Sequence, residues 1–123
     1  MRVAILLLMS IAFHSFSTEV VPIPLSNQEK SELSLWSELA RTSVKKRLYL
    51  CEECFGHLVT FNVSLSNNGE VLDIQLIESS GEPELEHYGR VAIEQAQPFR
   101  VDFLSERTRK KVQNVHMTIV PDD

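Results

Sequence analysis

The sequence predicts a small α+β domain: two helices packed on a three-stranded antiparallel sheet, in the order α-β-β-α-β. Three observations lead to this fold: an amphipathic helical repeat, a hairpin of alternating apolar residues, and a further alternating strand near the C-terminus. The chain has 123 residues and a formal net charge of −5. This length supports one domain with one modest core. An acidic balance disfavours nucleic-acid binding, which depends on neutralising phosphates.

The first helix is predicted from residue 27 to about residue 49. Ser26 and Glu29 have the spacing of a capping box, in which each side chain accepts a hydrogen bond from an otherwise unpaired backbone N–H. Apolar residues then recur at steps of three and four, which gives one apolar stripe suited to packing on a sheet. The stripe consists of Leu33, Trp36, Ala40, Val44 and Leu48.

A β-hairpin is predicted between residues 58 and 77. Apolar and polar residues alternate from residue 59 to residue 65, and Asn68-Gly69 supplies the two positive-φ positions of a type I′ turn. This turn sets a register in which apolar residues oppose each other on one face of the sheet. The expected pairs are Leu65 with Leu72, Val63 with Ile74, and Phe61 with Leu76.

A second helix and a third strand complete the predicted fold. Pro83 suits the first helical position, and Pro98 ends the helix. The sheet-facing side of this helix contains Leu85, Gly89, Ala92, Ala96 and Phe99. Gly89 would let the helix axis approach the sheet closely. A polar stretch from residue 105 to 111 has room for one helical turn, and residues 112–120 form a strand stopped by Pro121.

The N-terminus reads as a cleavable secretory signal peptide, residues 1–17. Met1-Arg2 is a basic start, residues 3–13 are almost entirely apolar, and small residues precede an expected cleavage between Ser17 and Thr18. The apolar run is shorter than the roughly 20 residues of a membrane-spanning helix. We therefore expect export to the periplasm, an extended leader over residues 18–25, a domain over residues 26–123, and no membrane span after cleavage. The alternative is that the apolar run is retained as an uncleaved anchor.

The hairpin and its surroundings resemble the C-terminal domains of TolA and TonB. Residues 59–81 form an alternating strand, a turn ending in Gly69, a second strand and then Ser79-Ser80-Gly81 before a helix. Pro98-Phe99 near the helix end and the closing Ile119-Val120-Pro121 also fit. The resemblance covers roughly residues 30–121, and the preceding helix with Trp36 brings it closer to TolA.

This resemblance implies a periplasmic protein-recognition module without catalytic residues or a cofactor. Its partners would be envelope proteins, of the Tol or Ton type, or toxin or phage proteins. Such domains bind partly by adding a strand to an exposed sheet edge, which would also permit pairing of two copies. TolA and TonB have a membrane anchor and a long linker, so the signal peptide here implies a domain without its own energy-transducing anchor. The expected edge strand comprises Val115, His116, Met117, Thr118, Ile119 and Val120.

Cys51 and Cys54 suggest an alternative to the protein-recognition module, namely a small redox or metal-handling protein. In an oxidising compartment this pair predicts a short disulfide. Disulfide exchange is disfavoured because Glu52 and Glu53 oppose a thiolate, which a following helix or a cation would have to stabilise. For zinc, the cysteines would need His57 and a distant His87 or His116, which is an incomplete tetrahedral set, and no metal is expected.

Hydrolytic chemistry has one weak candidate, Ser79-Ser80 with His87. A Ser-Ser-Gly sequence before a helix is explained by turn and capping hydrogen bonds. We therefore expect no enzymatic activity.

Overall fold

The structure, a computed structural model, describes residues 4–11 and 26–122. The elements in chain order are strand β1 (Ala4–Ile11), helix α1 (Asn27–Arg47), a 3-10 turn (Glu52–Cys54), strands β2 (Val59–Leu65) and β3 (Val71–Ser79), helices α2 (Pro83–Ala96) and α3 (Glu106–Lys111), and strand β4 (Asn114–Asp122). No helix within these residues is long and apolar enough to cross a membrane. The expected cleavage site and leader lie outside the described residues, so the domain boundaries stay predictions.

The strands form one antiparallel sheet in the order β1-β4-β2-β3. Residues 26–122 contribute the three strands β3, β2 and β4, so the predicted α+β fold and its α-β-β-α-β order are confirmed, with α3 as an additional short helix. The fourth strand comes from the N-terminal apolar run, which pairs with the outer side of β4.

The core lies between the sheet and the helices, as the apolar stripe of α1 predicts. Leu33, Trp36, Ala40 and Val44 of this stripe are all buried. The Ser26 hydroxyl accepts a hydrogen bond from the Glu29 N–H at 3.1 Å, which confirms the predicted N-cap. The helix ends at Arg47, two residues before the expected end.

The β2–β3 turn differs from the predicted type I′ turn. Gly69 has a φ of +83°, but Asn68 does not adopt a positive φ. The Gly69 N–H donates to the Ser66 carbonyl at 3.0 Å, and the Ser66 N–H donates to the Glu70 carbonyl at 2.8 Å. This pattern describes a three-residue loop in which a type I turn is followed by a glycine bulge.

The longer loop changes the register of the hairpin near its tip. Two predicted pairs are confirmed, Val63 with Ile74 and Phe61 with Leu76. The third prediction is wrong: Leu65 pairs with Val71, and Leu72 is displaced from the ladder. A second irregularity displaces Ile77. Leu72 and Ile77 are 67% and 50% exposed, so β3 does not carry the continuous apolar face that the two-residue turn would have given it.

Helix α2 approaches the sheet closely at Gly89, as its sequence predicts. A Cβ atom built on Gly89 would lie 3.0 Å from Cε2 of Phe61 and 3.1 Å from Cδ1 of Ile119. Pro83 occupies the first turn of the helix, and the buried face contains Leu85, Gly89, Ala92 and Ile93. Glycine therefore costs α2 some intrinsic helix stability and allows tight packing on β2 and β4.

Strand β4 runs through Pro121 to Asp122, so the prediction that Pro121 stops the strand is wrong. Strand β2 begins at Val59, which pairs with Ile119. Pro121 thus lies beyond the end of β2, where its missing N–H interrupts no hydrogen bond to that strand.

Two carboxylates of α1 hold helix α3 in place. Glu32 accepts hydrogen bonds from the Ser105 N–H at 3.2 Å, the Ser105 hydroxyl at 3.0 Å and the Thr108 hydroxyl at 2.6 Å. Glu29, only 8% exposed, accepts from the Lys111 ammonium at 3.0 Å. The Lys111 hydrogen bond lowers the pKa of Glu29, and the Thr108 hydrogen bond lowers the pKa of Glu32, both from an ordinary value of 4.5. In each case these contacts outweigh the opposing effect of burial.

These lowered pKa values predict acid sensitivity. Because the folded-state pKa lies below the unfolded value, the ionised carboxylates stabilise the fold fully above about pH 4.5, and this contribution is lost as the pH falls through the folded-state pKa. Urea unfolding at a series of pH values should therefore show stability declining below this point. Glu32→Gln should flatten the decline, and Thr108→Val, which removes a hydroxyl donor to Glu32, should do the same. If stability declines with pH as steeply in both variants as in the wild type, the acid sensitivity does not come from the contacts of Glu32.

Candidate protein-binding site

The hydrogen-bonding directions of the sheet backbone follow from one contact at the end of the β2–β4 ladder. The Leu65 N–H donates to the Gln113 carbonyl at 2.8 Å. Because these directions alternate along an antiparallel strand, Val63 and Phe61 also direct their N–H and C=O groups towards β4. Every second residue of β4, beginning with Val115, exchanges hydrogen bonds with β2. The intervening residues of β4 then point their N–H and C=O groups away from β2.

The six residues of the predicted binding strand consequently divide into two classes. Val115, Met117 and Ile119 are fully buried, pair with β2 and belong to the core. His116, Thr118 and Val120 are half-buried and present their backbone groups to the outer edge of β4. The Thr118 hydroxyl also contacts the Thr60 hydroxyl at 2.9 Å, across the sheet face opposite the core.

Strand β1 lies on this outer edge of β4. It pairs antiparallel over eight residues, from Ala4 opposite Asp122 to Ile11 opposite Val115. Strand β4 is thus the outermost strand of the sheet formed by residues 26–122, but it is an inner strand once residues 4–11 are included. The use of this edge for binding stays a prediction.

At the opposite edge of the sheet, two backbone groups of β3 are hydrogen-bonded by side chains from α2 and from the residue that follows it. Ile74 pairs with Val63, so its carbonyl points away from β2, and it accepts a hydrogen bond from Nη1 of Arg90 at 2.8 Å. The Val71 N–H donates to Oε1 of Gln97 at 2.8 Å. Natural proteins protect edge strands from pairing by bulges and by such coverage.

Arg90 and Gln97 did not emerge as functional residues from the sequence. The available signal was the position of Arg90 directly after Gly89, at the point where α2 is closest to the sheet. Arg90 also lies 5.5 Å from the centre of the Phe61 ring, in cation–π range. These contacts fix the side chain across the β3 backbone.

The cysteine pair forms the predicted disulfide. Cys51 and Cys54 are joined across the 3-10 turn between α1 and β2, with a Cα–Cα distance of 5.2 Å. Both are buried, with relative exposures of 5% and 0%, which denies an incoming thiolate access to the sulfur atoms. The burial disfavours the redox interpretation.

The histidines considered as metal ligands do not join the cysteines. Among the described residues, the one group of three or more potential ligand residues whose ligand atoms lie within 4.8 Å of one another is Cys51, Glu53 and Glu84. The Cys51 sulfur in that group belongs to the disulfide. Nδ1 of His57 instead lies 2.9 Å from the Ser80 hydroxyl.

The side chains of Ser79 and Ser80 make hydrogen bonds to the backbone where β3 leads into α2. The Ser80 hydroxyl accepts a hydrogen bond from the Leu58 N–H at 2.8 Å, and the Ser79 hydroxyl accepts from the Gly81 N–H at 3.0 Å. The Ser79 contact is the turn contact that the sequence predicts, whereas the Ser80 contact joins residues 22 positions apart, and the side chain that caps α2 is that of Glu82.

Comparison with known proteins agrees with this architecture. No family model matches the sequence, and no curated protein matches it. Among solved structures, the fold is similar to a TolA C-terminal domain whose structure is described in terms of protein–protein interactions, conformational changes and a hydrophobic cavity. The TM-score is 0.59 at 15% sequence identity, over 78% of this chain and 96% of that chain. At this identity the similarity establishes a TolA-like fold.

Proposed function

We propose that this chain is a periplasmic protein-binding module that captures a cell-envelope protein, or a toxin or phage component, by pairing a strand of that partner with the outer edge of β4. It acts by recognition, without a catalytic residue or a cofactor. The supporting observation is the asymmetry of the sheet: Arg90 and Gln97 hydrogen-bond two outward backbone groups of β3, whereas the outer backbone of β4 accepts a strand.

The β4 edge has the properties that strand addition requires. Its outward backbone groups at His116, Thr118 and Val120 form a regular row without a bulge in the β2–β4 register. Backbone hydrogen bonds give such a contact affinity, and side-chain pockets give it selectivity. The similar TolA C-terminal domain is described for its protein–protein interactions, which supports a binding role.

A redox or metal-handling role is the weaker candidate. It would require access to the sulfur atoms of Cys51 and Cys54, and both residues are buried in a disulfide.

The proposal predicts that His116→Pro weakens partner binding and preserves the fold. Proline removes the outward N–H of residue 116 and places its ring where a partner strand would pair, but it leaves the hydrogen bonds to β2 intact. Tagged protein should be crosslinked in an envelope extract, and the captured protein identified and purified for affinity measurement. We expect the affinity to fall about tenfold or more, equivalent to about 1.4 kcal/mol.

Leu76→Pro is the matched control, because Leu76 pairs with Phe61 and its N–H also points away from β2, but on the β3 side. It should bind the captured protein as the wild type does. Circular dichroism should show folded protein for both variants. Equal binding by a folded His116→Pro variant, or loss of binding in Leu76→Pro alone, would contradict the β4 edge as the site.

A further inference from the structure

The β4 edge already carries a strand from the chain's own N-terminus. Strand β1 provides a pairing partner for each of the six residues proposed to bind a partner, from Ile11 opposite Val115 to Leu6 opposite Val120. A partner strand and β1 would need the same backbone groups of β4. The two cannot be bound at once, because one strand edge pairs with one neighbour.

The sequence of β1 suits this position. It contains no charged residue, and Leu7 and Met9 lie opposite the buried Ile119 and Met117 in the register. Its polar residue, Ser10, lies opposite His116. The six pairs from Leu6–Val120 to Ile11–Val115 thus place apolar residues opposite the buried residues of β4, and the polar residue of β1 lies opposite a half-buried polar residue.

We propose that residues 4–11 act as a tethered ligand that masks the β4 edge, so that their removal opens the binding site. This inference rests on the proposed function, since it assigns a competitor to the same edge. It also gives the expected signal-peptide cleavage after Ser17 a second consequence, because cleavage would detach the masking strand together with the export signal.

The tether makes even a weak masking strand effective. Residues 12–25 connect β1 to the N-cap of α1, so β1 competes at an effective concentration of about 1 mM, which is typical of short connections. If the free strand bound with a dissociation constant of about 0.1 mM, the tethered strand would weaken an external partner about tenfold.

A synthetic peptide tests the masking directly. The probe is a fluorescein-labelled peptide with the sequence of residues 4–11, flanked by lysines for solubility, and fluorescence anisotropy reports its binding. Three proteins are compared: the full chain, a form beginning at Thr18, and the full chain with Leu6→Pro and Leu8→Pro. Leu6 and Leu8 lie opposite Val120 and Thr118, so both prolines remove N–H groups directed at β4.

The form beginning at Thr18 keeps the described core, whose buried residues extend from Leu33 to Ile119. We expect the peptide to bind this form and the double-proline chain similarly, and to bind the unmodified full chain about tenfold more weakly. Hydrogen exchange should show slower exchange at His116 and Thr118 when the peptide binds. A peptide carrying the same two prolines should not bind.

Two outcomes would overturn the masking. One is equal binding of the peptide to all three proteins, and the other is no binding to the form beginning at Thr18. Neither outcome decides the proposed function, which depends on the captured envelope protein and its response to His116→Pro. If that protein binds the form beginning at Thr18 and the unmodified full chain equally well, the β4 edge stays the binding site and the masking is refuted.

Discussion

Replacing Gly69 by alanine is expected to lower the free energy of unfolding by roughly 3 kcal/mol or more, a large fraction of the stability of a small domain. Two effects combine at this residue. Its φ of +83° costs an alanine about 1–2 kcal/mol. In addition, the new Cβ would overlap the carbonyl oxygen of Phe99, a backbone atom that cannot rotate away. The Phe99 N–H donates to the Gly69 carbonyl at 2.8 Å, so relieving the overlap would also break this contact.

Gly56 supplies a control with nearly the same backbone conformation. Its φ is +82°, and nothing lies within 4 Å of a Cβ built there. Gly56→Ala should therefore show the conformational cost alone, about 1–2 kcal/mol. Urea unfolding gives the loss of unfolding free energy for each variant. The amount by which the loss for Gly69→Ala exceeds that for Gly56→Ala is the cost of the overlap with Phe99. Equal destabilisation would show that the hairpin tip can move away from the segment after α2.

The second large effect is expected for Trp36→Ala, at about 3–5 kcal/mol. Trp36 is 1% exposed and packs against Phe99 with ring centroids 6.3 Å apart. Both rings border a cavity of about 160 Å³ between α1 and residues 98–100, which the truncation would enlarge. Leu35→Ala, on the exposed side of the same helix, should change stability by about 0.5 kcal/mol or less. Unfolding should be followed by circular dichroism. Trp36 is the single tryptophan of the chain, so the alanine variant has no tryptophan fluorescence to monitor.

Trp36→Phe separates the volume of this side chain from its polar atom. The indole Nε1 is buried and has no hydrogen-bond partner, so removing this N–H group breaks no hydrogen bond. Phenylalanine should accordingly retain most of the stability that alanine loses. A loss as large as that of Trp36→Ala would show that packing volume does not explain the role of this residue.

Local patterns in the sequence predicted the elements well because local chemistry determines them. The stripe of α1, the cap at Ser26 and the alternation in β2 each depend on residues within a few positions of one another. The close approach at Gly89 was also predictable, because a glycine on the buried face of a helix needs a packing reason.

The turn and the contacts along the two sides of the sheet could not be predicted from local sequence, because they depend on residues far apart in the chain. Asn67-Asn68-Gly69 is compatible with both a two-residue and a three-residue loop, and Gly69 sits where Phe99, 30 positions further along the chain, donates to its carbonyl. The contacts of Arg90 and Gln97 with β3 depend on how α2 lies over the sheet, which no local pattern encodes. The sequence indicated an N-terminal apolar run, but its pairing with β4 depends on the assembled sheet.

The coverage of β3 also determines how many partners this sheet can hold. A sheet with two free edges can pair at both, so that molecules join into open-ended chains. Here Arg90 and Gln97 hydrogen-bond to backbone groups at the β3 edge. The bulges at Leu72 and Ile77 also make the backbone of this strand irregular. If a partner strand adds at β4 as proposed, we expect the domain to be monovalent, forming one-to-one complexes or closed pairs, so that β-sheet polymerisation stops at the first addition.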